Sequence, residues 1–223
     1  MEILRAENVY YSYQTKYQKV DAVQNVSCAF EKGGFYAIIG ESGSGKSTFL
    51  SLLAGLDIPS GGTIYVDGQP LNELDRDAYR LNQASVVYQS FHLFPLLTAL
   101  ENVMLPMEFK KMPKKEARIR AQKLLQRVGL EERIHGQFPK MMSGGEQQRV
   151  AIARAVATGG EILLADEPTG NLDSENEKKI VELLKKLAHE DGYTVIVITH
   201  NQSVAEETDH IFRMKDGHMD QLR

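Results

Sequence analysis

FYAIIGESGSGKSTFLSLLAGL, residues Phe35 to Leu56, is the stretch whose reading decides the fold. Phe35 to Ile39 form a short, uniformly apolar run with the composition of a buried strand. Gly40 to Thr48, GESGSGKST, follows, and then Phe49, Leu50, Leu52, Leu53 and Leu56 recur at helical spacing. Strand, glycine-rich turn and helix is the context that gives GxxxxGK[ST] its meaning as a phosphate loop. Gly40, Gly43 and Gly45 lack a Cβ, so the loop Gly40, Glu41, Ser42, Gly43, Ser44, Gly45 can curl around an anion with its N–H groups inward. The helix beginning at this point adds its positive end. Lys46 brings a charge to the β- and γ-phosphates, and Ser47, beside Thr48, offers a hydroxyl to Mg²⁺. A glycine–serine stretch that merely turned the chain would need neither flank.

Outward from this loop the chain keeps the same texture. Glu2–Val9 and Val23–Phe30 read as strands, EKGG at Glu31 to Gly34 as a turn, and Thr63–Val66 with Asp67-Gly68 as a hairpin. Ser85 to Tyr88 is another short apolar run, leading into Gln89. After it comes an apolar, proline-broken loop, Phe91 to Leu97, and a helical pattern from Thr98. Ala117, Ala121, Leu124, Leu125 and Val128 share one helix face, with Gly129 as the stop. A helical subdomain is expected over about 90–157, ending in a helix from Val150 to Ala157. The α/β pattern returns with Ile162 to Ala165, then a helix capped by Ser174 and Glu177 that buries Ile180, Val181, Leu184, Leu187 and Ala188. Val195 to Ile198 form a last apolar strand. Strands apolar throughout suit a parallel sheet covered on both faces. The fold class expected is α/β, with a small antiparallel β subdomain and a helical subdomain in one domain spanning 1–223.

Composition limits the function. The 223 residues are 42% hydrophobic and 25% charged, ordinary for a globular chain. No apolar run approaches the roughly 20 residues that cross a bilayer. MEILRAENV is not a secretory leader, so a cytoplasmic location is expected. Cys28, the one cysteine, sits in VSCAF and reads as a small buried hydrophobe. A net charge of −4 argues against a broad nucleic-acid face. Lys110, Lys111, Lys114 and Lys115 form the dense basic cluster, read as a solvated loop, with anionic lipid headgroups as the alternative.

In a wound parallel sheet, ligands gather beyond the carboxyl ends of the strands. Three such ends carry polar groups: the loop after Ile39, Asp166-Glu167 after Ala165, and His200 after Thr199. Asp166 fits a partner of Mg²⁺, directly or through water. Adjacent carboxylates repel unless a metal–nucleotide balances them, so Glu167 is placed as the general base for an attacking water. His200 either bonds the γ-phosphate or simply caps its strand. Ser143, Gly144 and Gly145, in MSGGEQQR at a helix start, form a second candidate anion site. Two anion-binding surfaces in one small chain suggest a nucleotide clamped between two copies.

These residues resemble the ATP-binding cassette (ABC) transporter ATPases over essentially the whole chain. GESGSGKST resembles the Walker A loop, ILLADE the Walker B strand with its catalytic glutamate, and Gln89 the Q-loop glutamine. MSGGEQ resembles the signature, Asn171-Leu172-Asp173 the D-loop, and His200 the switch histidine. Tyr13 corresponds by position to the aromatic residue that stacks on adenine, with Tyr10 and Tyr11 as competitors. The family signature usually begins with Leu and ends with Gln; this chain has Met142 and Glu146. QSFHLFPLLTALENVMLP with ADEPTGNLD resembles the lipoprotein-releasing, macrolide-exporter and antimicrobial-peptide-resistance ATPases.

The resemblance implies an ATPase at the cytoplasmic face of a membrane, working as a pair on a separate permease, with ATP and Mg²⁺ as cofactors. Ser47, Gln89 and, through water, Asp166 would hold the metal, and Ser143 to Gly145 of a second copy would close the pocket. Lys46 and His200 would stabilise the charge that builds at the γ-phosphate. Phe91, Leu93, Phe94 and Met107 line either the groove that receives the permease or the interior of the helical part. Rival readings are an amino-acid importer ATPase, a soluble ABC ATPase acting on DNA or ribosomes, and a non-hydrolysing nucleotide sensor. The acidic balance disfavours the nucleic-acid reading, and the intact Asp166-Glu167 pair disfavours the sensor.

Overall fold

Two sheets of different character are built from this chain. The computed structural model describes residues 1–14 and 19–223. β1 (Glu2–Gln14) and β2 (Lys19–Glu31) pair antiparallel and run longer than the alternation of apolar residues predicts. The reason is local: Asn8 and Asn25 take left-handed backbone conformations (φ 47° and 53°), and the register shifts between Ala6 and Val9 and again before Tyr11. Each bulge changes which face the next residue meets, so the period-two signal ends while the pairing continues.

β3 (Phe35–Ile39) feeds the phosphate loop and α1 (Lys46–Leu53). β4 (Gly61–Val66) and β5 (Gln69–Pro70) form the expected hairpin, with Asp67 and Gly68 at φ 47° and 79°. They complete a four-stranded antiparallel sheet in the order β2-β1-β4-β5. Next come α2 (Arg76–Asn82), capped by Asp75, and β6 (Ala84–Tyr88).

The middle of the chain is helical: α3 (Ala99–Phe109), α4 (Lys114–Arg127), α5 (Glu132–His135) and α6 (Gly144–Ala155). Thr98 and Glu101 close a capping box on α3. Val103, Met107, Ala121, Leu125, Ile134 and Val150 pack into one cluster. Two expectations are corrected here, and for Met107 one of two open alternatives is decided. The last of these helices begins at Gly144, six residues before Val150, because Ser143 and Glu146 cap it. Met107 is fully buried in the cluster and faces no groove, whereas Phe94 and Leu96 are exposed. The lysine cluster is not all loop: Lys114 and Lys115 open α4, and Lys110 donates to the Thr158 carbonyl at 2.8 Å.

β7 (Ile162–Asp166), α7 (Ser174–His189), β8 (Thr194–Thr199), α8 (Gln202–Glu206), β9 (His210–Lys215) and β10 (His218–Gln221) finish the chain. The second sheet runs β10-β9-β3-β8-β7-β6, parallel except for β10 at its edge. α7 is capped by Asp173, whose carboxylate accepts from the N–H groups of Glu175 and Asn176, not by Ser174, which lies one residue inside. The sheet's two faces are sorted by alternation. Ile38, Ile196 and Ile198 meet Phe49 and Leu52 of α1, with Cys28 packed partly buried at the margin. Ala37, Val195 and Val197 meet Ile180, Leu184 and Leu187 of α7. Burial pushes the Cys28 thiol up to about 12, which leaves it an inert apolar group.

Leu184 is fully buried between α7 and the sheet, whereas Glu182 on the same helix faces solvent. Leu184→Ala is expected to cost about 2–5 kcal/mol and Glu182→Ala under about 0.5 kcal/mol in urea denaturation.

Candidate functional site

Parallel pairing sets Ile39 beside Thr199 and Asp166 beside Ile198. The three strand ends that carry polar groups therefore open onto one edge. The phosphate loop is shaped there by two glycines in the left-handed region, Gly43 (φ 80°) and Gly45 (φ 103°). A Cβ on Gly45 would stand 2.0 Å from the Ala22 carbonyl oxygen, so β2 presses the loop from behind.

Lys46 is buried, and its ammonium donates to the carbonyls of Gly40 (2.9 Å) and Glu41 (2.7 Å) with Ser44 Oγ at 3.4 Å. Burial pulls its pKa below the ordinary lysine value, against the opposing charges of Glu167 and Asp166. Ser47 Oγ donates to Asp166 Oδ1 at 3.2 Å. Burial also raises the Asp166 pKa; Glu167 adds to that rise, while Ser47 and Lys46 oppose it.

Glu167 leaves β7 in a left-handed conformation (φ 48°), an unfavourable geometry for a residue with a Cβ. Its N–H still donates to the Ile198 carbonyl at 3.0 Å, which ties the kink to β8. The turn aims its carboxylate at the neighbouring strand end, where Oε1 lies 2.9 Å from His200 Nδ1. The Glu167 side chain is 19% exposed and that of His200 70%, so the pair joins an inner acid to an outer imidazole.

A cleft of about 1050 Å³ opens over this edge. Of the residues singled out from sequence, Tyr13, Gly40, Ser42, Gly43, Gly45, Lys46, Ser47, Thr48, Gln89, Glu167 and His200 line it. Ser44 and Asp166 stand behind that wall, bonded to Lys46 and Ser47, and Glu41, exposed, gives its backbone carbonyl to Lys46. Tyr13 is the tyrosine of the three that reaches the cleft, its hydroxyl 3.1 Å from Thr48 Oγ1 and its ring edge-on to Tyr11 at 5.1 Å. Tyr11 packs on the core, and Tyr10 lies beside Gly61. Val20, Asp21 and Ala22 of β2 also line the cleft, and no sequence motif marks them.

Ser143, Gly144 and Gly145 are not among the residues of this cleft. They lie against the turn between β7 and α7: a Cβ on Gly144 would meet Leu172 at 3.4 Å, and one on Gly145 would meet Asn176 at 2.3 Å. The Gln89 side chain donates to Asn171 Oδ1 and the Asn171 amide donates back to the Gln89 carbonyl, each at 3.2 Å. Arg154 of α6 donates to the carbonyls of His92 (2.7 Å) and Phe91 (3.1 Å), two consecutive residues with positive φ. Sequence reasoning gave Asn171 no partner and did not single out Arg154. A consecutive pair of left-handed, non-glycine residues leaves no mark in composition.

A phosphate loop, an acidic strand end and a histidine at one sheet edge define a P-loop nucleotide hydrolase. The family described as "ABC transporter" matches residues 23–170. MJ0796 of Methanocaldococcus jannaschii, an ABC transporter ATP-binding protein, is 46% identical over 98% of this chain and 95% of its own length. LolD 2 of Rhodopirellula baltica, a lipoprotein-releasing system ATP-binding protein, is 42% identical over 96% and 88%. MacB 1 of Yersinia pestis bv. Antiqua, a macrolide export ATP-binding/permease protein, is 44% identical over 96% of this chain, which spans 33% of that longer protein. The solved dimer of the MJ0796 cassette superposes with a TM-score of 0.90 and 44% identity, covering 99% of both chains, and a second MJ0796 dimer with the same figures is a post-hydrolysis state bound to ADP and Pi. The chain belongs to the ABC transporter ATP-binding family, and its fold is that of an ABC ATPase.

Gly45→Ala would drive a Cβ into the Ala22 carbonyl at a positive φ. A loss of nucleotide affinity of about 100-fold or more is expected in fluorescent-nucleotide titration, because the loop conformation aims the N–H groups. Far-UV circular dichroism should stay unchanged.

Proposed function

We propose that two copies of this chain close head to tail around two ATP molecules and that the cycle of closure and hydrolysis drives a separate membrane permease. The observation that carries this reading is a division within the chain. Lys46, Ser47, Asp166, Glu167 and His200 converge on one cleft, while the helix start at Ser143 to Gly145, exposed at Ser143, lies outside it. A second copy supplies the missing wall, in keeping with the dimeric MJ0796 cassette.

Each residue's role follows from its place. The loop N–H groups and Lys46 hold the β- and γ-phosphates. Tyr13, at the far wall beside Thr48, offers its ring to the adenine. Glu167 accepts a proton from the attacking water, and the imidazole of His200, within hydrogen-bond reach, fixes the carboxylate's orientation. Lys46 and His200 offset the charge that develops on the γ-phosphate. Ser143 and the N–H groups of Gly144 and Gly145 contact the γ-phosphate held by the opposite copy.

The donors around Ser47 fit Mg²⁺. Its hydroxyl, the Asp166 carboxylate and the Gln89 amide oxygen are hard oxygen ligands. Among the described residues no group of three or more His, Cys, Asp or Glu could hold a metal ion. That is consistent with a cation that takes much of its coordination from the phosphates. Bound there, Mg²⁺ would neutralise charge on the β- and γ-oxygens. Gln89 bonds Asn171 through Nε2, so its amide oxygen is the atom it would present to the cation.

No helix among the described residues is long and apolar enough to cross a membrane. Attachment through the permease would hold this chain peripherally at the cytoplasmic face, a reading supported by its transporter relatives. Likeness to a lipoprotein-releasing and a macrolide-export ATPase favours extrusion of a lipoprotein, peptide or drug over import. The exposed Phe94 and Leu96, just after Gln89, offer the permease an apolar seat.

Glu167→Gln keeps the shape of the side chain and removes the base. Phosphate release is expected to fall by about 10²–10⁴-fold. Light scattering should show a dimer that appears with ATP and not with ADP. Unreduced turnover, or a monomer at saturating ATP, would refute the reading.

A further inference from the structure

The turn that opens α6 carries a carboxylate with no part in the cycle described above. The Ser143 hydroxyl donates to Glu146 Oε2 at 2.9 Å, and the Ser143 N–H donates to the same oxygen at 2.8 Å. The Glu146 N–H donates back to Ser143 Oγ at 3.3 Å. Together these bonds form a capping box, and they also fix where the serine's proton points. A hydroxyl has one hydrogen to give, and that of Ser143 is committed to a carboxylate of its own chain.

That carboxylate is ionised. Burial by itself would raise its pKa, but the Ser143 hydrogen bonds and the nearby Arg133 and Arg149 hold it below the usual range. Neither arginine bonds to it. Arg133 Nε is engaged by Glu131 at 2.7 Å, and Arg149 Nε is buried with no hydrogen-bond partner among the described residues. A negative charge therefore stands one hydroxyl behind the exposed Ser143, held by that residue's own hydrogen bonds, with the two arginines acting only through space.

We propose that Glu146 is a positioning residue that holds the Ser143 hydroxyl inward and raises the ATP concentration at which two copies close. The inference rests on the reading of Ser143 to Gly145 as the surface that meets the opposite copy's γ-phosphate. On that reading, a phosphate oxygen and Glu146 Oε2 compete for one hydrogen, and closure brings a carboxylate toward a polyanion. The hydroxyl must turn away from Glu146 before it can serve the phosphate. Cap and gate are thus one set of bonds, and resting pairs of copies stay apart until nucleotide is abundant.

Glutamine separates the charge from the hydrogen bonds. It satisfies the same capping pattern, accepting from the Ser143 N–H through its amide oxygen, but it carries no charge. Alanine removes both cap and charge. The test places Glu146→Gln and Glu146→Ala in the Glu167→Gln background and titrates ATP at low and high salt, reading the dimer fraction by light scattering. Glu146→Gln is expected to lower the half-maximal ATP about 3- to 10-fold at low salt, the scale of screened charge pairs at two sites. The difference should shrink at about 0.5 M salt, where exposed charges are screened. Fluorescent-nucleotide affinity of the monomer should not move. An unchanged or raised midpoint for Glu146→Gln would overturn the proposal, leaving Glu146 as a cap alone. A Glu167→Gln protein that forms no ATP-dependent dimer would bring down the two-copy reading itself, and this inference with it.

Discussion

The register of three parallel strands is the constraint on which the rest depends. Ile39 pairs with Thr199, and Asp166 with Ile198, so β3, β8 and β7 end together. Core packing fixes that register. Ile38, Ile196 and Ile198 must face α1 while Ala37, Val195 and Val197 face α7, and a slip by one residue would exchange the two sets. The same slip would carry Asp166 away from Ser47 and Glu167 away from His200. Chemistry at the sheet edge is therefore held in place by hydrophobic contacts on both of its faces, well away from any charge.

What is held there is unfavourable by itself. Asp166 and Glu167 are adjacent acids, and burial together with their mutual repulsion disfavours the charge on Asp166. Burial likewise disfavours the charge on Lys46. Glu167 adds a left-handed backbone, a conformation that costs on the order of 1–3 kcal/mol. Such a cluster persists because the surrounding sheet over-determines it. It is arranged for charges that arrive with substrate, and Lys46, already bonded to the carbonyls of Gly40 and Glu41, can trade those bonds for phosphate oxygens.

Much of this was legible in the sequence, and the exceptions share a cause. The phosphate loop, the apolar strands and the buried face of α7 follow from period and composition, which side chains carry directly. Asp166, Glu167 and His200 were readable because each follows an apolar run and strand ends face ligands in this architecture. Deviations arose where backbone geometry overrode side-chain pattern. Bulges at Asn8 and Asn25 extended β1 and β2 past their visible alternation. A cap at Ser143 started α6 on glycines that helix propensity would exclude. Asp173 outcompeted Ser174 because its carboxylate reaches two N–H groups. The partner of Asn171, and Arg154 altogether, stayed hidden because the contacts are to a glutamine and two carbonyls brought near by folding alone.

Those hidden contacts join the cleft to the start of α6. Arg154 lies on the helix that Ser143 opens, and it grips the carbonyls of Phe91 and His92 just after Gln89. Gln89 and Asn171 hold each other, and Gly145 leaves no room for a Cβ against Asn176 in the first turn of α7. The segment after β6, the turn after β7 and the start of α6 are thus joined by direct bonds and close packing. Gln89 lines the cleft, so contacts run from the cleft wall through Asn171 to the turn against which the start of α6 packs. Contiguous bonds and packing of this kind are the physical route by which one part of a chain can bias another.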